Sequence, residues 1–236
     1  MDWCMHNVVY KWYQLKRGKM IICIGTSKGG TGKTTLATNL AGFLVKNKED
    51  VLLIDTDRQG SASTWCALRD QDNNVKRVPC MQKFGTNIDK EIIELSKRFK
   101  YILVDVGGFD SEELRTSILV CDILFIPLKP SQFDIWTLSA MSKLVSFTKM
   151  VNPNMKAFVV LNMVSTNPNI NEFEDVIKSL EIIDNIEVIK HPIHERITFR
   201  KAAQSGLSIF ELDKTDKKAI DELMILYGKV INNGKK

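Results

Sequence analysis

The sequence predicts an α/β fold, a mostly parallel, twisted sheet covered by helices on both faces. Three observations predict it. Short runs of consecutive apolar residues, such as Met20–Ile24, Val51–Ile54 and Tyr101–Val104, suit strands buried on both sides. Longer stretches with helical spacing separate them, as crossovers between parallel strands require. A glycine-rich octapeptide, Lys28-Gly-Gly-Thr-Gly-Lys-Thr-Thr35, joins the first apolar run to the first helical one.

Residues 1–19 mix Trp3, Tyr10, Trp12 and Tyr13 with Lys11, Lys16, Arg17 and Lys19. They are expected to be a poorly ordered N-terminal extension, followed by one domain over 20–236. The first strand is expected near 20–25. A helix near 33–47 follows from Leu36, Leu40, Phe43 and Leu44, which fall on one face. The second strand, near 51–55, runs into Asp55-Thr-Asp57, and a helix near 60–69 comes next. Residues 70–87 carry little pattern. Beyond them, helices are expected near 87–98, 111–119, 134–150, 171–181, 195–204 and 215–231. The remaining strands are expected near 101–105, 122–126, 157–161 and 186–189. No internal repeat or linker divides the chain.

Composition is that of an ordinary soluble domain, and 236 residues suffice for one large core. The formal net charge of +5 is concentrated in residues 1–19, so the body is almost neutral. Any nucleic-acid contact must therefore come from a local patch. Five scattered cysteines (Cys4, Cys23, Cys66, Cys80, Cys121) form no paired motif, which argues against zinc and against a disulfide framework. No apolar run reaches the length of a membrane span, and the N-terminus lacks the pattern of a signal peptide. A cytoplasmic location, with no membrane partner, is expected.

The octapeptide carries the chemistry. Its glycines let successive backbone N–H groups turn toward a phosphate chain, and the helix start beyond adds its positive end. Lys33 is placed to reach β- and γ-phosphates and Thr34 to ligate Mg²⁺. The strict phosphate-loop spacing would put glycine at 27, where Ser27 stands; Gly30 lies nearer the lysine instead. Asp55, Asp57 and Asp105 end two apolar strands, on the side where open parallel sheets bind ligands. The fold expectation thereby sharpens to a P-loop NTPase-like one.

These motifs together resemble the deviant Walker A ATPases of the ParA/MinD superfamily. KGGTGKTT matches their loop, DTDRQGSAS their second motif and YILVDVGG their Walker B segment. Ile126-Pro-Leu-Lys-Pro-Ser-Gln-Phe-Asp134 and Arg196-Ile-Thr-Phe-Arg-Lys-Ala-Ala203 are closer to the small partition ParA proteins than to MinD. The likeness spans about 20–212. Arg58 departs from a frequent proline, and Val106-Gly107-Gly108 from a Thr-Pro-Pro-like continuation.

The resemblance implies an ATPase with ATP and Mg²⁺ as cofactors. Gly29, Gly30, Thr31, Gly32, Lys33, Thr34 and Thr35 would wrap the phosphates. Asp105 would hold the metal through water, and Asp55 would support the loop geometry or the metal shell. Asp57 would orient the attacking water. Lys28 would reach across a homodimer to the partner's phosphates, so that hydrolysis requires dimerisation. Asn162 and Pro192 would receive the base, and the absence of Asn-Lys-x-Asp favours adenine over guanine. Gly107 and Gly108 would let the backbone follow a γ-phosphate.

In the partition branch the ATP-bound dimer binds DNA non-specifically and is stimulated by a small centromere-binding, ParB/ParG-like partner. That implies possible nucleoid association and makes Lys190, Arg196, Arg200 and Lys201 the DNA-contact candidates. The alternative is a MinD-like membrane-cycling positioning ATPase. Its mark is a C-terminal membrane helix, whereas Ile220, Leu223, Met224, Tyr227 and Val230 read more simply as core-packing positions.

Overall fold

The fold was obtained as a computed structural model. It describes residues 19–108, 110–130, 132–167, 176–177, 180 and 185–233. Residues 1–18 of the expected extension and most of the helix expected near 171–181 therefore lie outside the described residues. In chain order the elements are β1 (Met20–Ile24), α1 (Lys33–Lys46), β2 (Val51–Asp55), α2 (Ser61–Arg69), β3 (Cys80–Gln82), α3 (Ile88–Ser96) and β4 (Tyr101–Asp105). Then come α4 (Glu112–Val120), β5 (Ile123–Leu128), α5 (Gln132–Val151), β6 (Lys156–Val164), β7 (Glu187–His194), α6 (Ile197–Gln204) and α7 (Lys217–Asn233).

Among the described residues the strands form one seven-stranded sheet in the order β3-β2-β4-β1-β5-β6-β7, and every pairing is parallel. Alternate residues of each central strand feed two separate cores, as the two-residue period of a strand demands. Ile22 and Ile24 point into a layer with Leu40 of α1, Trp65 of α2, Phe199 of α6 and Leu223 of α7. Ile21 and Cys23 point into the opposite layer with Ile92 of α3, Ile118 of α4 and Met141 of α5. Burial on both faces explains why these strands read as unbroken apolar runs.

Two expectations needed correction. The stretch 70–87 contains an edge strand, β3, whose three residues are only partly covered. Its register comes from β2, where Leu53 N–H donates to Pro79 O at 2.9 Å, a bond that local periodicity cannot reveal. The last strand does not stop near 189 but runs on to His194. Its pairing with β6 shifts twice around Asn162, next to Met163, whose φ of 57° lies in the left-handed region. That irregularity brings the end of β7 beside the glycine-rich loop.

Candidate functional site

The loop after β1 and the loops after β2 and β4 meet at the carboxyl edge of the sheet, because β4 lies between β1 and β2. Asp55 and Asp105 are direct register partners. Between these loops is a cavity of about 580 Å³, lined by Gly29, Gly30, Gly32, Lys33, Thr34 and Thr35 on one wall. Asp57, Arg58, Gly107, Gly108 and Glu113 stand on the others.

Local geometry explains each placement. Gly32 begins α1 at a φ of 87°, and a Cβ there would stand 2.3 Å from the Asn162 amide nitrogen. A side chain is thus excluded both by backbone conformation and by space. Lys33 is buried, and its ammonium donates to Lys28 O at 2.9 Å. Burial lowers its pKa, opposed by the nearby charges of Asp105 and Asp57. Gly108 packs on the loop so closely that a Cβ would lie 2.7 Å from Gly29 Cα.

Asp105 is the most informative acid. It is fully buried, and its Oδ2 accepts from Thr34 Oγ1 at 2.7 Å. Its Oδ1 is buried with no hydrogen-bond partner. Burial pushes its pKa to about 7, with the Thr34 hydroxyl opposing and Asp55 adding to the rise. An orphaned carboxylate oxygen beside a threonine hydroxyl and a phosphate-sized cavity fits the oxygen donor set that Mg²⁺ prefers.

The other two acids behave differently. Asp57 lines the cavity and its Oδ1 accepts from Gln59 N–H at 2.9 Å, so the carboxylate both shapes the turn and faces the void. Asp55 does not line the cavity. Its two oxygens accept from the N–H groups of Asp57 (3.1 Å) and Ser63 (2.8 Å). Of the two roles expected for Asp55, these bonds belong to loop support: both oxygens hold the turn between β2 and α2.

Thr31 is also turned inward. It is fully buried, and its carbonyl accepts from Asn162 Nδ2 at 2.7 Å. Asn162 thus clamps the phosphate loop with its amide nitrogen. A second, smaller cavity of about 120 Å³ shares Gly32 and Thr35 with the first and is completed by Asn162, His194, Phe199 and Arg200. Pro192 is not among its lining residues; it lies within β7, because that strand is longer than expected. Lys28 is not in the lining of the large cavity.

The expected basic face is divided. Arg196 precedes α6 in extended conformation, and its guanidinium donates to Glu222 Oε1 at 2.7 Å. Glu222 Oε1 also meets His194 Nδ1 at 2.7 Å. Arg196 is therefore an internal tie to α7 and is corrected as a DNA-contact candidate. Arg200, Lys201 and Lys190 are exposed. Sequence reasoning missed Glu113 and His194 as wall residues. Nothing in the local pattern marks them, since α4 and β7 bring them in from the far side of the fold.

A phosphate loop at the start of a helix, two acids facing it and an adjoining smaller cavity form a nucleotide site in outline. The family model for the CobQ/CobB/MinD/ParA nucleotide binding domain matches residues 22–209. The chain belongs to this family. Among ParA-type relatives, the maintenance of carboxysome distribution protein A of Halothiobacillus neapolitanus is 25% identical over 211 residues, covering 89% of this chain and 95% of its own length. Protein ParA of Rhizobium radiobacter is 26% identical over 188 residues, covering 79% and 83% respectively. Of solved structures, the Cyanothece McdA–ATP complex superposes with a TM-score of 0.73 at 15% identity, covering 90% of this chain and 96% of that one. That likeness is one of fold.

Proposed function

We propose that the protein is a partition-type ATPase. ATP closes a homodimer, the dimer binds DNA without sequence preference, and a small centromere-binding, ParB/ParG-like partner stimulates hydrolysis and release. The observation that carries the reading is the convergence of Lys33, Thr34 and Asp57 on one phosphate-sized cavity, with the buried Asp105 bonded to Thr34 behind its wall. The kinship with a chromosome partitioning protein ParA and a carboxysome-distribution protein supports the positioning role.

Phosphoryl transfer depends on placement and charge neutralisation more than on covalent chemistry. The glycine-rich loop binds the phosphates through its N–H groups, and Lys33 neutralises the β- and γ-oxygens. Thr34, and Asp105 through water, would hold Mg²⁺, which would supply further neutralisation. Asp57 orients the attacking water. The smaller cavity takes the base, with Thr35 between it and the phosphates. Since one N–H of the Asn162 amide already serves the loop, this residue positions the loop and offers the base its second N–H and its oxygen. Lys28 supplies its charge to the nucleotide of the second subunit.

Membrane cycling is the weaker reading. Ala219, Leu223, Leu226 and Tyr227 on α7 are buried in the core, so most of its apolar stripe packs inside the domain; Met224, expected in the core, is exposed beside Ile225, and the side chain of Val230 lies outside the described residues. No helix among the described residues is long and apolar enough to cross a membrane. The deciding experiment is retention of DNA with ATP, with ADP and without nucleotide, in parallel with sedimentation of anionic liposomes. ATP-dependent DNA retention is expected; ATP-dependent liposome binding without it would overturn the partition reading.

A further inference from the structure

The cavity contains a second cation that the loop chemistry does not use. Arg58 follows Asp57 in a turn closed by the Gly60 N–H to Asp57 O bond at 2.9 Å. Its backbone is therefore fixed beside the reacting edge, while its side chain is exposed. The guanidinium carbon lies 5.4 Å from the centre of the Phe84 ring, itself 43% exposed. Across the same cavity Glu113 accepts from Gly85 N–H at 3.0 Å. The Glu113 pKa lies below its ordinary value: burial opposes this, while its hydrogen bonds and the charge of Arg58 favour it.

This is an arginine held by weak partners. A ring face that remains open to water attracts a cation only modestly. A terminal phosphate, by contrast, offers a guanidinium two parallel charge-assisted hydrogen bonds. Arg58 shares its cavity with Lys33, Asp57 and Gly108, so a triphosphate bound there enters the space its side chain borders. An ADP would end one phosphate short.

Resting on the ATPase reading above, the geometry points to Arg58 as a γ-phosphate-binding residue supplied from within the same subunit, which leaves Phe84 for the terminal phosphate when ATP binds. It distinguishes ATP from ADP and adds positive charge where the transition state needs it. Lys28 acts between subunits; Arg58 acts within one and is engaged before the dimer closes.

The test uses the full chain and its Arg58→Ala and Arg58→Lys variants. Affinities for fluorescent ADP and for a fluorescent non-hydrolysable ATP analogue are measured at protein concentrations where the wild type is monomeric, followed by single-turnover hydrolysis. Arg58→Ala should keep ADP affinity, lose the preference for the triphosphate, and slow hydrolysis by about 100-fold or more. Arg58→Lys should restore part of the preference, since charge remains and the fork is lost. Equal losses for both nucleotides would indicate a structural role and overturn the inference, as would wild-type preference and rate in Arg58→Ala. A wild type that binds neither nucleotide removes the ATPase reading itself, and this inference with it.

Discussion

Asp105 has one oxygen tied to Thr34 and one buried with no partner. Its pKa, raised from the ordinary 3.8 to about 7, makes this a linkage statement. Between those values the folded apo-protein binds a proton that the unfolded chain releases. The contribution to stability is therefore full below about pH 4 and is lost as pH rises through about 7. Melting curves without nucleotide should show Tm falling over this window, with a contribution of at most roughly 1.4 kcal/mol per pH unit. Asp105→Asn should flatten that slope while abolishing hydrolysis, and an unchanged slope in the variant would remove the assignment. The two loop lysines separate by phenotype. Lys33→Ala should weaken nucleotide binding itself, because its ammonium is fixed inside the cradle. Lys28→Gln should leave binding near wild type and slow turnover by about 10³-fold or more. Binding titrations beside steady-state rates check both, and full turnover in Lys28→Gln would contradict the role between subunits.

At the scale of elements, the loops after β1 and β4 touch backbone to backbone. A Cβ on Gly108 would meet Gly29 Cα at 2.7 Å and Gly29 N at 3.0 Å, where no flexible side chain can yield. Gly108→Ala should therefore displace the phosphate loop and lower nucleotide affinity, at a cost of about 1–3 kcal/mol. Nucleotide titration together with chemical denaturation shows whether binding suffers more than stability does. A second joint lies away from the cavity. Arg69 of α2 is buried and bonds both oxygens of Glu211, besides the carbonyls of Lys76 and Gly206. Burial would raise the Glu211 pKa, but Arg69 and Ser208 together hold it below its usual value. Glu211→Ala leaves a guanidinium buried without its counter-charge. The expected loss is about 3–5 kcal/mol, read from denaturant midpoints. A loss under about 1 kcal/mol would show that the pair is no more than a surface bridge.

For the whole molecule, the proposed cycle requires that nucleotide state change the assembly. Sedimentation with a non-hydrolysable ATP analogue should give twice the monomer mass, and ADP should not. A persistent monomer at saturating analogue would remove both the role of Lys28 and the partition cycle. DNA affinity in the dimer should fall steeply with salt if phosphates are the contact. Lys201→Glu should weaken that binding without altering nucleotide affinity, because Lys201 is exposed and outside both cavities. Gel retention across a salt series measures it.

The sequence by itself determined the β1–loop–α1 unit and the acids at the ends of β2 and β4. Those features are written locally, in runs of apolar residues, in glycines and in their spacing. Only the tertiary structure decided which side chains are left available. Asn162 is engaged by Thr31, which lies 131 positions away, and Arg196 by Glu222, 26 positions on. Asp55 gives both oxygens to the backbone and Asp105 keeps one spare. Both are strand-end aspartates with the same local signature. Competition among distant partners separates them, and that competition exists only once the chain has folded.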